Sequence, residues 1–323
     1  MHCVNQAAGG ETLLHFMVNP ASHSGRGMHL WKQIEQILLE KGTAYEVHFS
    51  QKAGDMGEIA RKLTENLTEG QECSLVVLGG DGTVNEALQG ICNFERVRFS
   101  SIPTGSGNDL ARDMGIEKNV QKAIASLLEK GKERPMDVGY VSWEENGKIK
   151  ERRFIVSCGI GYDAAVCEEV QNSSMKGILN KIGLGKITYL GIGVKNMLTS
   201  RYTKTTLLMD GSRKRVLDRM LFVAIMSHRF EGGGFNFCPQ ADHQDGKLDL
   251  CVVDGLPHWK FPIVIPFALK GQHYRFNGVS SEIASRIEIE TSYPLCLHTD
   301  GEVWGNHQKI TVWVEKQQLR FIC

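Results

Sequence analysis

The unbroken apolar run Leu75–Leu78 ends abruptly in Gly79-Gly80-Asp81-Gly82-Thr83, which leads into the helix-compatible Val84-Asn85-Glu86-Ala87-Leu88. A short continuous apolar run marks a strand covered on both faces, as in parallel sheets sandwiched by helices. Glycines at the strand-to-helix turn let the main chain approach a ligand closely and aim N–H groups at its oxygens. The following helix N-terminus adds a favourable dipole. This one segment therefore asks for an α/β layer that binds ligands at the carboxyl ends of its strands. Asp81 repels phosphate, so its place in such a loop points to a metal ion or a proton. On its own the segment also reads as an ordinary glycine-rich turn capped by Asp.

The flanking sequence supplies the rest of such a layer. Leu13–Val18 is a strand-like run ending at Asn19-Pro20, and Met28–Glu40 carries Leu30, Trp31, Ile34, Ile37 and Leu38 at helical spacing. Tyr45–Phe49 reads as a strand and Met56–Leu67 as an amphipathic helix. Two more loops follow strand-like runs: Asn19-Pro20 through Ser24-Gly25-Arg26-Gly27, and Pro103-Thr104-Gly105-Ser106-Gly107-Asn108-Asp109. Three loops at the strand ends of one sheet converge on one crevice. The candidate nucleotide-phosphate residues are therefore Asn19, Ser24, Gly25, Gly79, Gly80, Asp81, Gly82, Thr83, Asn85, Gly105, Ser106, Asn108 and Asp109. The chain contains neither a P-loop G-x-x-x-x-G-K-[ST] nor a Rossmann G-x-G-x-x-G after a strand, and no protein-kinase signature.

Beyond about Asp137 the pattern changes to strand-like runs separated by turns: Arg153–Val156, Thr205–Met209, Met220–Met226, Lys247–Val253, Arg286–Ile289 and Lys309–Val314. A chain of 323 residues has room for two domains. The sequence predicts an α/β N-terminal domain with a parallel sheet over 1–140. A mainly antiparallel β-sandwich second domain follows over 141–316, and a last strand near 317–323 is placed to complete the first.

Lys and Arg number 37, as do Asp and Glu, so nothing draws the chain to nucleic acid. Nine cysteines without a C-x-x-C pair read as reduced thiols, and the eleven histidines fall at no metal-binding spacing. The start MHCVNQAAGGETLLHF lacks a basic n-region, and the apolar stretch Phe261–Leu269 is too short to span a bilayer. The expectation is a cytoplasmic protein.

Seven motifs occur in order: Gly79–Thr83 with Asn85-Glu86, Pro103–Asp109, Asp137-x-Gly139, Gly159-Ile160-Gly161-Tyr162-Asp163, Gly232–Gly234 with Cys238-Pro239, Asp245-Gly246-Lys247-Leu248, and Asp300-Gly301-Glu302. The series, running from about Leu13 to Cys323, resembles the soluble diacylglycerol kinase catalytic-domain family. That family includes bacterial YegS-type lipid kinases and is related to sphingosine and ceramide kinases, and its first motif is shared with NAD kinases.

The resemblance implies an NAD-kinase/diacylglycerol-kinase-like fold and an ATP- and Mg²⁺-dependent lipid kinase. ATP would lie along Gly79–Asn85, Ser106 and Ser50. Glu302 would accept the hydroxyl proton with Asp300 beside it, and Asp81 is the alternative base. A second-domain magnesium site would use the Asp245 carboxylate with the main-chain carbonyls of Asp242 and Lys247. Diacylglycerol giving phosphatidic acid is the first substrate pair implied. A sphingoid-base or phosphatidylglycerol kinase, an NAD-kinase-like enzyme, and a catalytically weak lipid or nucleotide sensor are the alternatives.

Elementary chemistry fits this reading, since phosphoryl transfer needs positioning, a metal and a group that orients the attacking hydroxyl. Asp81, Asp300 and Glu302 could supply the last two if they meet across an interdomain cleft. Without the resemblance, Asp300-Gly301 is a type I′ hairpin turn, and Asp245-Gly246 carries the same reading. Residues 170–209 hold six basic side chains and no acidic one, interleaved with apolar residues. Such a stretch suits peripheral contact with an anionic membrane, or simply a solvated basic helix face. A homodimer is compatible with the sequence.

Overall fold

The computed structural model describes residues 4–5, 13–104, 107–117, 119–129, 132–162, 164 and 200–323. The chain divides into two compact units, one of residues 1–136 with 317–323, the other of residues 137–316.

In the first unit, β1 (Val4–Asn5), β2 (Leu14–Val18), β3 (Tyr45–Phe49), β4 (Cys73–Gly79) and β5 (Val97–Pro103) alternate with α1 (Ser22–Gly25), α2 (Gly27–Glu40), α3 (Asp55–Thr64), α4 (Asp81–Gly90), α5 (Asp109–Met114) and α6 (Val120–Leu128). The sheet order is β1-β3-β2-β4-β5, with β2 to β5 parallel and β1 antiparallel to β3. The chain's end returns here: Arg320 and Phe321 pair in parallel with Arg98 and Phe99. All seven residues of β4 are buried, which explains its continuous apolar sequence. In α2, Trp31, Ile34 and Leu38 turn one stripe onto the sheet and meet Phe16, Tyr45, Val47 and Val76. Because β3 and β4 flank β2, the chain reverses its winding between β2 and β4, the kind of switch point at whose carboxyl ends α/β sheets bind ligands.

The second unit takes in β6 (Glu133–Glu145) from Asp137 onward and β16 (Glu302–Ile322) as far as Lys316. Between them lie β7 (Lys148–Phe154), β8 (Ser157–Gly161), β9 (Thr203–Met209), β10 (Arg213–Met226), β11 (Phe230–Glu231), β12 (Phe235–Asn236), β13 (Leu248–Asp254), α7 (Phe261–Ala268), β14 (Val279–Ala284) and β15 (Arg286–Thr299). Strands run β16-β15-β8-β10-β13-β14, with β9 joining β10 and β15, and these pairs are antiparallel. Alternation along a strand splits its side chains between two faces. Val223 and Ile225 of β10 join Leu250 and Val252 of β13 in one core cluster, while Phe222, Ala224 and Met226 join Cys251 and Val253 in another. Both faces are thus covered, which is why these strands read as apolar runs.

The polar stretch Trp143–Arg153 is a hairpin of β6 and β7, closed at Asn146 and Gly147 with φ of 53° and 72°. Two successive left-handed residues make the I′ turn that Asn-Gly favours. Its strand ends are polar because they face water.

Candidate active site

Within the first unit, the loops that follow β2, β3, β4 and β5 are tied together by their main chains. Asn19 N–H bonds the Leu78 carbonyl at 3.2 Å, Ser50 N–H the Val18 carbonyl at 3.0 Å, and Thr104 N–H the Gly79 carbonyl at 2.9 Å. Asn19 Oδ1 accepts from Ala21 N–H at 3.1 Å in an Asx turn, while its amide donates to Thr83 Oγ1 at 3.2 Å. Gly79 is required at its position, since a Cβ there would run into the Thr83 side chain. Asn19, Gly79 and Thr83 therefore form one contact group at the switch point.

Asp81 opens α4, and its Oδ2 accepts the Asp109 N–H at 3.0 Å. This bond links the Gly79–Thr83 and Pro103–Asp109 loops directly. Asp109 in turn holds Arg112, whose guanidinium also reaches the Gly107 carbonyl at 3.4 Å. Asn108 precedes α5 in a left-handed conformation (φ 50°), one that Asn tolerates better than most residues. Asn85 is buried, with Gln89 donating to its Oδ1 at 3.1 Å. Thr104 Oγ1 is buried and makes no hydrogen bond among the described residues, the kind of polar atom a bound anion satisfies. Gly25 closes α1 with φ 92°. Gly105, Ser106 and the Ser24 side chain lie outside the described residues, as do Asp163 and most of the basic stretch 170–209.

In the second unit, Asp300 and Gly301 have φ of 47° and 83°, a type I′ turn between β15 and β16. The Asp300 carboxylate accepts three main-chain N–H groups: Ile155 at 3.0 Å, Val156 at 2.9 Å and Ser157 at 2.9 Å. Its own N–H bonds the Ser157 carbonyl at 2.9 Å. Glu302 begins β16 opposite Thr299 and is half-buried. Burial lowers the affinity of the Arg152 guanidinium for its proton, and the charge of Glu302 opposes that effect, so the two groups face one another. Arg152 also lies 4.0 Å over the Trp304 ring, and Trp304 donates to Thr299 Oγ1 at 2.7 Å.

A buried polar chain backs this turn. Gly301 N–H donates to His298 Nδ1 at 3.3 Å, and His298 Nε2 lies 3.3 Å from Glu231 Oε1, which also accepts the Ser157 hydroxyl at 2.9 Å. Acceptance at Nδ1 assigns the imidazole proton to Nε2. Glu231 reaches the chain from a two-strand hairpin whose loop residues Gly232, Gly233 and Gly234 all have positive φ. Arg152, Glu231 and Trp304 escaped the sequence reading, which took His298 as a structural histidine; only the triple glycine beside Glu231 signalled anything locally.

The candidate cation loop is built differently from the sequence expectation. Asp245 does not adopt the left-handed conformation that a I′ turn needs. Instead its Oδ1 accepts Lys247 N–H at 2.9 Å, and Asp242 Oδ1 accepts Gln244 N–H at 3.0 Å, giving two Asx turns. Buried Asp137 anchors the loop, taking Gly246 N–H at 2.7 Å and donating its own N–H to the His243 carbonyl at 2.8 Å. Asp249 faces the loop: burial, then the charges of Asp245 and Asp242, push its carboxyl up to about 6. Three mutually repelling carboxylates and nearby carbonyls are the donor chemistry of a hard divalent cation such as Mg²⁺. Among the described residues of this unit, no three such side chains bring ligand atoms within 4.8 Å of one another.

Comparison with known proteins covers both units. Residues 13–141 match the family described as the diacylglycerol kinase catalytic domain, and residues 156–323 the YegS C-terminal NAD kinase beta sandwich-like domain. The Bacillus subtilis diacylglycerol kinase is 27% identical over 84% of this chain and 84% of its own length. The Mycobacterium tuberculosis diacylglycerol kinase is 28% identical over 73% of this chain and 72% of its own. A crystal structure of a diacylglycerol kinase from Bacillus anthracis matches with a TM-score of 0.68 at 18% identity, covering 98% of each chain. An NAD kinase from Archaeoglobus fulgidus in complex with ATP shares the fold more distantly, with a TM-score of 0.51 at 13% identity, 96% of this chain and 93% of that one.

Proposed function

The chain belongs to the diacylglycerol kinase and YegS family of lipid kinases, and from that premise we propose that it transfers the terminal phosphoryl group of ATP to a lipid hydroxyl, diacylglycerol giving phosphatidic acid. The observation that carries this reading is the bond from Asp109 N–H to Asp81 Oδ2, which joins two small-residue loops at the carboxyl ends of β4 and β5. The loops bring main-chain N–H groups, the dipole of α4 and one carboxylate to a single place, the set of groups that phosphoryl transfer uses. Asp81 is the residue that would hold Mg²⁺, and the ion when bound would supply charge neutralisation.

Glu302 takes the proton of the lipid hydroxyl. Asp300 is a positioning residue: its carboxylate is spent on Ile155, Val156 and Ser157, and through them it fixes the turn that presents Glu302. Arg152 places a positive charge near Glu302, and the Gly301–His298–Glu231 chain restrains the same turn from behind. The loop at Asp242, Asp245 and Lys247, with Asp249, would hold a second, structural Mg²⁺ through carboxylate and carbonyl oxygens.

The lipid is met at a membrane surface. Among the described residues no helix is long and apolar enough to cross a membrane. The exposed positions along Trp259, Pro262, Ile263, Pro266 and Leu269 are nevertheless all apolar, while Phe261, Val264 and Ala268 of α7 face inward. Trp259 is 66% exposed and Ile263 and Leu269 are each 49% exposed. Lys260 follows Trp259 within this ridge, and Lys270 follows its last residue. An apolar ridge with interspersed cations suits an anionic lipid interface.

The deciding experiment gives the purified protein labelled ATP, Mg²⁺ and, in separate assays, dispersed diacylglycerol, a sphingoid base, phosphatidylglycerol or NAD⁺. Label is expected in phosphatidic acid. Label in NADP⁺ or in another lipid would replace the substrate, and ATP binding with no transfer to any acceptor would replace catalysis by sensing.

A further inference from the structure

β2 and β3 are parallel neighbours in which His15 stands opposite Glu46, and His48 follows Glu46 on the same face. Phe16, Tyr45 and Val47 point the other way, into the core beneath α2. His15, Glu46 and His48 therefore share the sheet face away from α2. His15 lies three residues, about 10 Å of strand, before the carboxyl end of β2 where the phosphate loops begin.

Their polar atoms converge. His15 Nδ1 is 3.3 Å from Glu46 Oε2, His48 Nε2 is 3.7 Å from the same oxygen, and the two ring nitrogens are 3.5 Å apart. As hydrogen bonds these separations are long, since N–H···O pairs settle at about 2.7–3.2 Å. As edges of a coordination tetrahedron they fit well, because bonds of ~2.0–2.1 Å at tetrahedral angles put ligand atoms about 3.4 Å apart. The side chains are 15%, 26% and 11% exposed for His15, Glu46 and His48, buried enough to hold one arrangement and open enough to admit an ion.

We propose that His15, Glu46 and His48 form a binding site for a divalent transition cation of the Zn²⁺ class, with water in the fourth corner. Two imidazoles and one carboxylate are a donor set suited to Zn²⁺ and Co²⁺ and poor for Mg²⁺ or Ca²⁺. The ion would pin β2 to β3 and stabilise the folded first unit by mass action, independently of the lipid kinase reading. Glu46 and His48 stand two apart on β3 but the third ligand, His15, comes from β2, so no complete sequence motif announces the set.

The full chain, stripped with chelator, should bind one equivalent of Zn²⁺ at this site, and Co²⁺ in its place should give the intense visible bands of tetrahedral coordination. Zn²⁺ should raise the melting temperature. His48→Gln should weaken this binding by more than the ~10–100-fold that loss of an outer-shell partner costs, whereas His29→Gln, on the exposed face of α2, should leave it intact. If His48→Gln fails to fold, Glu46→Gln, nearly the same shape without the charge, decides in its stead. Zn²⁺ affinity and Co²⁺ spectrum unchanged in the folded variant would overturn the site, as would a wild-type Co²⁺ complex with only weak octahedral bands.

Discussion

Asp300 Oδ1 lies 2.9 Å from the main-chain nitrogen of Val156, and the same carboxylate also takes the N–H groups of Ile155 and Ser157. An Asp held by three amides at a hairpin turn is a structural clamp that sits two residues from the proposed base. If Glu302 is the base, as proposed, stability and turnover at this turn are coupled through one side chain.

Removing that clamp should be costly in two measurable ways. Hydrogen bonds to a charged group contribute about 1.5–3 kcal/mol each, so Asp300→Ala should destabilise the chain by roughly 3 kcal/mol or more in denaturant unfolding. Turnover should fall well beyond the unfolded fraction, because Glu302 loses its placement, while the KM for ATP changes little. A variant as stable as wild type would remove the clamp, and one that keeps full kcat would remove its link to Glu302.

Asp81→Asn separates charge from structure. The amide oxygen can still accept Asp109 N–H, so the melting temperature should stay close to wild type. The carboxylate charge is lost, and with it Mg²⁺-dependent phosphoryl transfer. Asp81→Ala should in addition leave the Asp109 N–H unpaired and cost about 1–3 kcal/mol. Retained turnover in the Asn variant would take Asp81 out of the chemistry.

The turns at Gly79–Thr83 and Pro103–Asp109 were legible because their requirements are local: Gly79 must lack a Cβ against Thr83, and Asn108 must turn left-handed before α5. The β10 and β13 cores were legible as apolar runs, because both faces of those strands are buried. The hairpin at Asn146-Gly147 was hidden because its strand ends face water and show no apolar alternation. Arg152 beside Glu302, and Glu231 beside His298, were hidden for another reason. Each pair is joined by tertiary contact across many residues, and neither partner carries a local conformational demand. Asp245-Gly246 misled, because the side chain of Asp245 makes its own turn with Lys247 where the sequence pattern suggested a paired hairpin.

Asp249 gives a pH test of the cation loop. Its carboxyl titrates at about 6 in the folded chain, against 3.8 when unperturbed. Between those values the folded state holds more protons than the unfolded one, so stability falls as pH rises through this window and stays reduced above it. Without divalent cations the melting temperature should drop from pH 4.5 to pH 7 through this group, and Mg²⁺ should restore it at pH 7 but not at pH 4.5. Asp249→Asn should flatten both responses. An equal Mg²⁺ effect in that variant would exclude the Asp249 carboxylate from the site.

The ridge on α7 gives a test of membrane contact that leaves the chemistry untouched. Trp259, Ile263 and Leu269 are exposed, so replacing them should barely alter folding, as surface substitutions usually stay within about 0.5 kcal/mol. Lys260 and Lys270 add attraction for anionic headgroups of ~1 kcal/mol each near the surface. Ile263→Asp combined with Trp259→Ala should therefore weaken sedimentation with anionic vesicles at least tenfold. Turnover should fall on vesicle-borne diacylglycerol while activity on a short-chain, monomerically dispersed analogue is preserved. Equal loss on both substrates would mean that the ridge acts on the catalytic step, and unchanged vesicle binding would mean that the lipid is reached by another face.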